Sequence, residues 1–320
     1  MKNIKFVYQN NEFRMIEEEI GIKSEFDVLV EVKAVSINPI DIKVKNRIKE
    51  DEAITLGWDA SGIVKEVGTS VVGFEIGDEV FYAGDRNREG SNSRYQLVDY
   101  RLIAKKPKSL DFGQSAALPL TALTAWEALF ERLGVNEDSD GQSILIINGA
   151  GGVGSIAIQM AKYAGLNVIV SASREESQRW VKEMGADQVI NHHEDWPKLE
   201  VDYILCLYTP DAYMEKMAEV IKPFGKICCI VDSEKPLDMN ILKAKSVIFA
   251  WELMFTRSMY QTNDMDQQGK ILSKVAMLVD NGVIKSTLNK KISNLSVESL
   301  TLAHQMIENN SMIGKVVIEQ

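Results

Sequence analysis

Glycines at positions 149, 151 and 154 fall between four apolar residues, Ile144–Ile147, and a run in which Ile156, Met160 and Ala164 recur at helical spacing. Strand, glycine turn, helix is the order in which G-x-G-x-x-G becomes a dinucleotide site. Gly149 allows the tight turn, Gly151 lets backbone approach a pyrophosphate, and Gly154 lets the helix close on the strand. Gly152 adds room, and the pyrophosphate is expected on Gly151–Val153, facing the unpaired N–H groups and positive dipole end of the helix. A glycine-rich turn without a ligand is the alternative.

About twenty residues further on, an NAD-selective site carries an Asp or Glu for the ribose 2′-hydroxyl. Here the second strand ends in Val170-Ser171-Ala172-Ser173-Arg174, with no acid at its tip. Ser171 and Ser173 can donate to a 2′-phosphate and Arg174 can pair with it, so NADPH (NADP+) is the expected cofactor. Glu175 and Glu176 come next, but in the first turn of a helix they serve its dipole. Arg174 as a solvated surface charge is the competing reading.

The elements that would hold these groups fall into two kinds. From Ser143 onward strand and helix patterns alternate, the signature of a doubly wound parallel sheet. The first ~115 residues read instead as short strands broken by glycines, such as Asp27–Ser36, Ser61–Val67, Glu79–Tyr82 and Arg94–Ala104. Phe112–Gly134 reads as helical and divided by Pro119. The tail, with a helix near Gln267–Val279 and a final strand Gly314–Ile318, is expected to fold back and complete the first region.

Composition narrows the function classes. The 320 residues carry a net charge of −10, which argues against a nucleic-acid surface. No apolar run approaches the ~18 residues of a membrane span. The N-terminus lacks the apolar core of a secretory signal, so a cytoplasmic location is expected. Cys206, Cys228 and Cys229 lie in apolar runs and read as buried free thiols. The histidines are His192, His193 and His304, so residues 1–191 hold neither Cys nor His.

Four blocks resemble the medium-chain dehydrogenase/reductase superfamily, and within it the zinc-free quinone oxidoreductases and zinc-type alcohol dehydrogenase-like proteins. They are SINPIDIK (Ser36–Lys43), GWDASGIVKEVG with FEIGDEV (Gly57–Gly68, Phe74–Val80), AALPLTALTAWEAL (Ala116–Leu129) and NGAGGVGSIAIQMAK (Asn148–Lys162), in the family's order. The resemblance implies an α/β protein: a GroES-like β-rich substrate domain, 1–118 completed by 258–320, and a Rossmann NADP-binding domain, 119–257. It also implies an active site in the cleft between them and a homodimer formed through the edge strand near Ser246–Trp251.

A catalytic zinc is not expected. Zinc-bearing relatives place ligands where this chain has Asn38, Trp58 and Leu120. These supply neither thiolate nor imidazole. Asp41 and Asp59 remain, but two carboxylates without a soft ligand make a poor zinc site. Without a Lewis acid, acceptors that are electrophilic by themselves are favoured, namely a quinone or an α,β-unsaturated carbonyl.

For catalysis the resemblance points to Asn38 and Asp41 facing the nicotinamide, Asn38 donating to a substrate oxygen as it gains charge. Asn-Pro-x-Asp is also good turn chemistry by itself. Tyr82 is read either as a group that orients or protonates substrate or as a buried aromatic. Thr124 takes the family's junction threonine, on the nicotinamide side. His192 falls where quinone reductases carry a Tyr near the adenosine phosphate, and it contacts that phosphate or is an ordinary surface histidine. The rival functions are a zinc-independent alcohol or aldehyde dehydrogenase and a nucleotide-binding protein without turnover.

Overall fold

Leu145 and its neighbours in Ile144–Ile147 are wholly buried because their strand, Ser143–Ile147, lies at the centre of a parallel sheet. Strands covered on both faces read as continuous apolar runs, which is the pattern this stretch has. The computed structural model describes residues 1–49, 52–309 and 312–320. It divides into two compact units, Met1–Leu120 with Phe255–Gln320, and Thr121–Met254. The boundaries expected from sequence were 118/119 and 257/258.

The Thr121–Met254 unit holds six parallel strands ordered Gln188–Ile190, Asn167–Ser171, Ser143–Ile147, Val201–Cys206, Ile221–Cys229 and Ile248–Trp251. In chain order that is 3-2-1-4-5-6, the Rossmann arrangement. Helix Gly152–Tyr163 buries Ile156, Ala157 and Met160 and packs on the first two strands of the chain order. The last strand begins two residues later than expected. Ser246 takes φ +51° at the end of the 3-10 turn Met239–Lys245, a left-handed backbone that cannot sit in a ladder. Cys206, Cys228 and Cys229 are buried and free.

In the other unit the tail completes the main sheet. Strand Lys315–Glu319 pairs antiparallel with Asp27–Ser36 and parallel with Leu288–Ser293. Asp27–Ser36 also pairs with Ala60–Val67 and Tyr95–Asp99, and Ala60–Val67 with Glu79–Tyr82. The expected single strand Arg94–Ala104 is two strands. The Asp99 carboxylate accepts the Arg101 N–H at 3.0 Å and caps a 3-10 turn, Tyr100–Leu102. Beyond it Ile103–Lys105 pairs with Glu79–Tyr82 instead. Pro119 starts a second helix, Pro119–Trp126, after the short helix Phe112–Ala116. Proline suits a first helical turn, where its missing N–H has no partner to lose.

Candidate active-site groups

The glycine turn is fastened by its neighbouring strand. Asn148 takes φ +62°, and its N–H donates to Ser171 Oγ at 2.8 Å, while Gly149 N–H donates to the Ser171 carbonyl at 3.2 Å. The three motif glycines have distinct reasons. A Cβ on Gly149 would meet the Val170 side chain, and one on Gly154 would meet the Gly149 backbone. A Cβ on Gly151 would meet nothing within 4 Å. Gly151 is the N-cap of helix Gly152–Tyr163, and no side chain caps that helix. Half-buried Gly152 and Val153 therefore present first-turn N–H groups beside open space, an arrangement that fits a pyrophosphate.

Beside it stand the ends of the next two strands. Ser171 is wholly buried under the turn, whereas Ser173 is half-buried and Arg174 exposed as the N-cap of helix Glu175–Glu183. Ser171 is paired with Ile190, and Ala172 N–H donates to the Ile190 carbonyl at 2.9 Å, which brings His192 to the same end of the sheet. His192 is half-buried, and its buried Nδ1 has no hydrogen-bond partner among the described residues. Burial holds its imidazole below the usual histidine range, with the neighbouring His193 adding to the effect. Thr124 is buried in helix Pro119–Trp126, and Tyr208 and Trp251 are each about half exposed.

In the other unit, Asn38 opens helix Pro39–Lys45, and Asp41 Oδ2 accepts the Asn38 N–H at 2.8 Å. This is the turn chemistry of N-P-x-D, and it is wholly internal: Asn38 is 1 % exposed and Asp41 0 %. Asn38 Nδ2 donates to Asp59 Oδ2 at 2.9 Å and to the Ser36 carbonyl at 3.3 Å. Both amide hydrogens are thus engaged inside the protein. Asp59 Oδ1 accepts the Leu120 N–H at 2.8 Å. Burial raises both carboxyls, Asp41 to about 7, and the nearby Lys315 ammonium opposes that rise at each.

Lys315 was not anticipated. The register Val317 opposite Ser36 carries the start of the last strand past Asn38, and Lys315 Nζ reaches Asp59 Oδ2 at 2.9 Å, with Asn38 Oδ1 a further acceptor. No local signal identifies it; only a lysine at an inward position of a strand pattern hints at it.

Trp58 is buried, its Nε1–H donating to the Asp85 carbonyl at 3.4 Å. Tyr82 is 1 % exposed, and its hydroxyl has no partner among the described residues. Burial pushes the phenol upward, so it stays protonated.

A family model described as an alcohol dehydrogenase GroES-like domain matches residues 24–108, and one described as a zinc-binding dehydrogenase matches residues 184–318. A zinc-type alcohol dehydrogenase-like protein of Staphylococcus epidermidis is 43% identical, over 97% of this chain and 95% of its own length. The chloroplastic NADPH-dependent alkenal/one oxidoreductase of Arabidopsis thaliana is 29% identical, over 92% of this chain and 72% of its own. A crystal structure from Rhizobium etli CFN 42, assigned provisionally as a zinc-dependent alcohol dehydrogenase, matches with TM-score 0.95 and 40% identity, covering 100% of this chain and 98% of its own.

Proposed function

The chain belongs to the medium-chain dehydrogenase/reductase superfamily of nicotinamide-dependent oxidoreductases; from there we propose that it is an NADPH-dependent reductase of quinones or α,β-unsaturated carbonyls that works without catalytic zinc. The observation that carries the reading is the strand tip beside the glycine turn. Ser173 and Arg174 stand there with no carboxylate at the position that would select a free ribose hydroxyl. The name of the Arabidopsis relative supports both the nucleotide and the activated alkene.

In this reading the N–H groups of Gly151–Val153 hold the pyrophosphate, Ser173 and Arg174 hold the 2′-phosphate, and His192 Nδ1 adds a contact to it. Ser171 secures the turn from below, and Thr124 borders the nicotinamide side. NADPH, when bound, supplies the hydride that adds to the electrophilic carbon. Tyr82, kept protonated and with no hydroxyl partner among the described residues, orients the acceptor oxygen through its O–H, and water supplies the proton that completes reduction. Asn38 and Asp41 position the substrate unit from within, because their polar atoms are bonded inward. The protein contributes mainly orientation and exclusion of water.

The donor set does not suit zinc. Asn38 offers an amide oxygen already bonded to an ammonium, Trp58 an N–H donor, and Leu120 an alkyl chain. The edge strand Ile248–Trp251, with Ile248 53% and Trp251 49% exposed, supports pairing with a second copy to form a homodimer. Three buried, free thiols suit the cytoplasm.

NADPH oxidation is to be followed with a quinone, an enone and a simple aldehyde as acceptors. Turnover with either of the first two and not the third is expected. Aldehyde turnover alone would make the protein an alcohol or aldehyde dehydrogenase. Tight NADPH binding with no acceptor-dependent oxidation would make it a nucleotide-binding protein without turnover.

A further inference from the structure

The family-model description and the relatives' names imply zinc, yet the polar centre of the Met1–Leu120 and Phe255–Gln320 unit already contains a cation. Lys315 is 3 % exposed and Asp59 0 %. An ammonium has three hydrogens. Those of Lys315 have three oxygen acceptors: Asn38 Oδ1, Asp59 Oδ2 at 2.9 Å and the Ile37 carbonyl at 3.4 Å. The Asp59 carboxylate is filled in turn, Oδ2 by Lys315 and Asn38 and Oδ1 by the Leu120 N–H. The ammonium therefore takes up the Asn38 amide oxygen and the Asp59 carboxylate, two of the oxygens a metal in this unit would need, while Asp41 Oδ1 has no partner among the described residues.

We propose that Lys315 is the resident cation of this unit: its ammonium, held by Asn38 Oδ1, Asp59 Oδ2 and the Ile37 carbonyl, takes the place of a divalent metal. This rests on the zinc-free reading above and deepens it. Lys315 acts as a positioning residue. By drawing Asn38 Oδ1 inward it fixes the amide orientation that directs Nδ2 to Asp59, and so sets the turn that opens helix Pro39–Lys45. Two consequences follow from charge and ligand type. Wild-type protein has no use for a divalent cation, since one would have to displace a tethered ammonium. Shortening Lys315 to alanine leaves carboxylate, amide and carbonyl oxygens around an opening, a hard donor set of the kind that takes Mn²⁺.

The test uses the full chain purified from zinc-supplemented growth, with metal content measured and thermal unfolding followed with and without millimolar Mn²⁺. Wild type is expected to carry substoichiometric metal and a midpoint that neither chelator nor Mn²⁺ moves. K315A is expected to unfold at lower temperature and to recover part of the loss in Mn²⁺. K315M, which keeps the bulk without the charge, is expected to lose stability without that recovery. The double variant D59N/K315M is expected to be more stable than K315M, because no carboxylate is left facing an empty charge position. Stoichiometric zinc in wild type, with stability lost on chelation, would overturn the proposal. So would K315A as stable as wild type, or Mn²⁺ that moves wild type and K315A alike or moves neither. Should K315A not fold, K315M against D59N/K315M decides, and no gain on neutralising Asp59 overturns it. Acceptor-dependent NADPH oxidation is read separately: metal-free protein without turnover contradicts the proposed reaction and leaves Lys315 standing, whereas turnover that requires zinc contradicts both.

Discussion

The Asn148 N–H donates to Ser171 Oγ at 2.8 Å, and that bond holds Asn148 in its left-handed conformation at the head of the glycine turn. The hydroxyl belongs to the last residue of strand Asn167–Ser171, two residues before Ser173, so the pyrophosphate turn and the proposed phosphate-selecting tip are tied to each other. Two serines two residues apart consequently have different tasks. Ser171→Ala is expected to loosen the turn at a cost of about 1 kcal/mol, weakening NADPH and NADH together. Ser173→Ala is expected to weaken NADPH alone. Nucleotide titration calorimetry on both variants distinguishes them, and equal selectivity loss in the two would contradict the division.

The glycines of the turn offer a second separation. Gly151→Ala adds a methyl into open space, and Gly154→Ala drives one into the Gly149 backbone. Gly151→Ala is expected to fold with an unchanged unfolding midpoint and to bind NADPH about tenfold or more weakly, because the methyl stands where the phosphates approach. Gly154→Ala is expected to lose about 1–3 kcal/mol of stability through overpacking. Denaturant unfolding together with NADPH titration reads both.

Stability should carry two opposed pH dependences. Asp41 is raised from an ordinary 3.8 to about 7 by burial, so between those values the folded protein holds a proton that the unfolded chain has released. Its contribution to stability falls as pH rises through that window. His304 is the reverse: burial, with the Lys45 charge second, lowers it from 6.5 to about 3, so the folded protein binds fewer protons between those values. Its contribution is present above pH 6.5 and is lost as pH falls toward 3. Asp41→Asn is expected to remove the first trend and His304→Phe the second, measured as unfolding free energy from pH 4 to 8 with two-point spacing of about one unit. A variant profile parallel to wild type in either case would refute that assignment.

The proposed dimer gives a fourth expectation. A lysine in the exposed edge strand blunts strand pairing between copies. Ile248→Lys is therefore expected to sediment as a monomer with unchanged secondary structure, and a wild type that is already monomeric would rule the interface out.

Much of this was readable from the chain, for local reasons. The glycine turn, its flanking strand and helix, and the tip Ser173–Arg174 span fewer than forty residues, where spacing and conformation are coupled directly. The split of Arg94–Ala104 depends on one carboxylate, Asp99, capping a turn, a signal available in sequence but masked by the apolar run around it. Lys315 is of another kind. It meets Asp59 across 256 residues through a strand register, and periodicity within the last strand says nothing of what lies opposite. The inward direction of Asn38 was hidden for the same reason, since the groups that fix it, the acceptor Asp59 and the donor Lys315, come from distant parts of the chain.

The most direct measurement is the Michaelis constant for NADPH and for NADH in wild type and in the Ser173→Ala/Arg174→Ala double variant, with the best acceptor from the quinone and enone panel. Losing the charged contacts to a 2′-phosphate is expected to raise the NADPH constant about ten- to a hundredfold, from roughly 1.5–3 kcal/mol of charge-assisted hydrogen bonding. The NADH constant should move little. Equal changes for the two nucleotides, or a wild type that already prefers NADH, would contradict the assignment of the strand tip and with it the NADPH-dependent reductase.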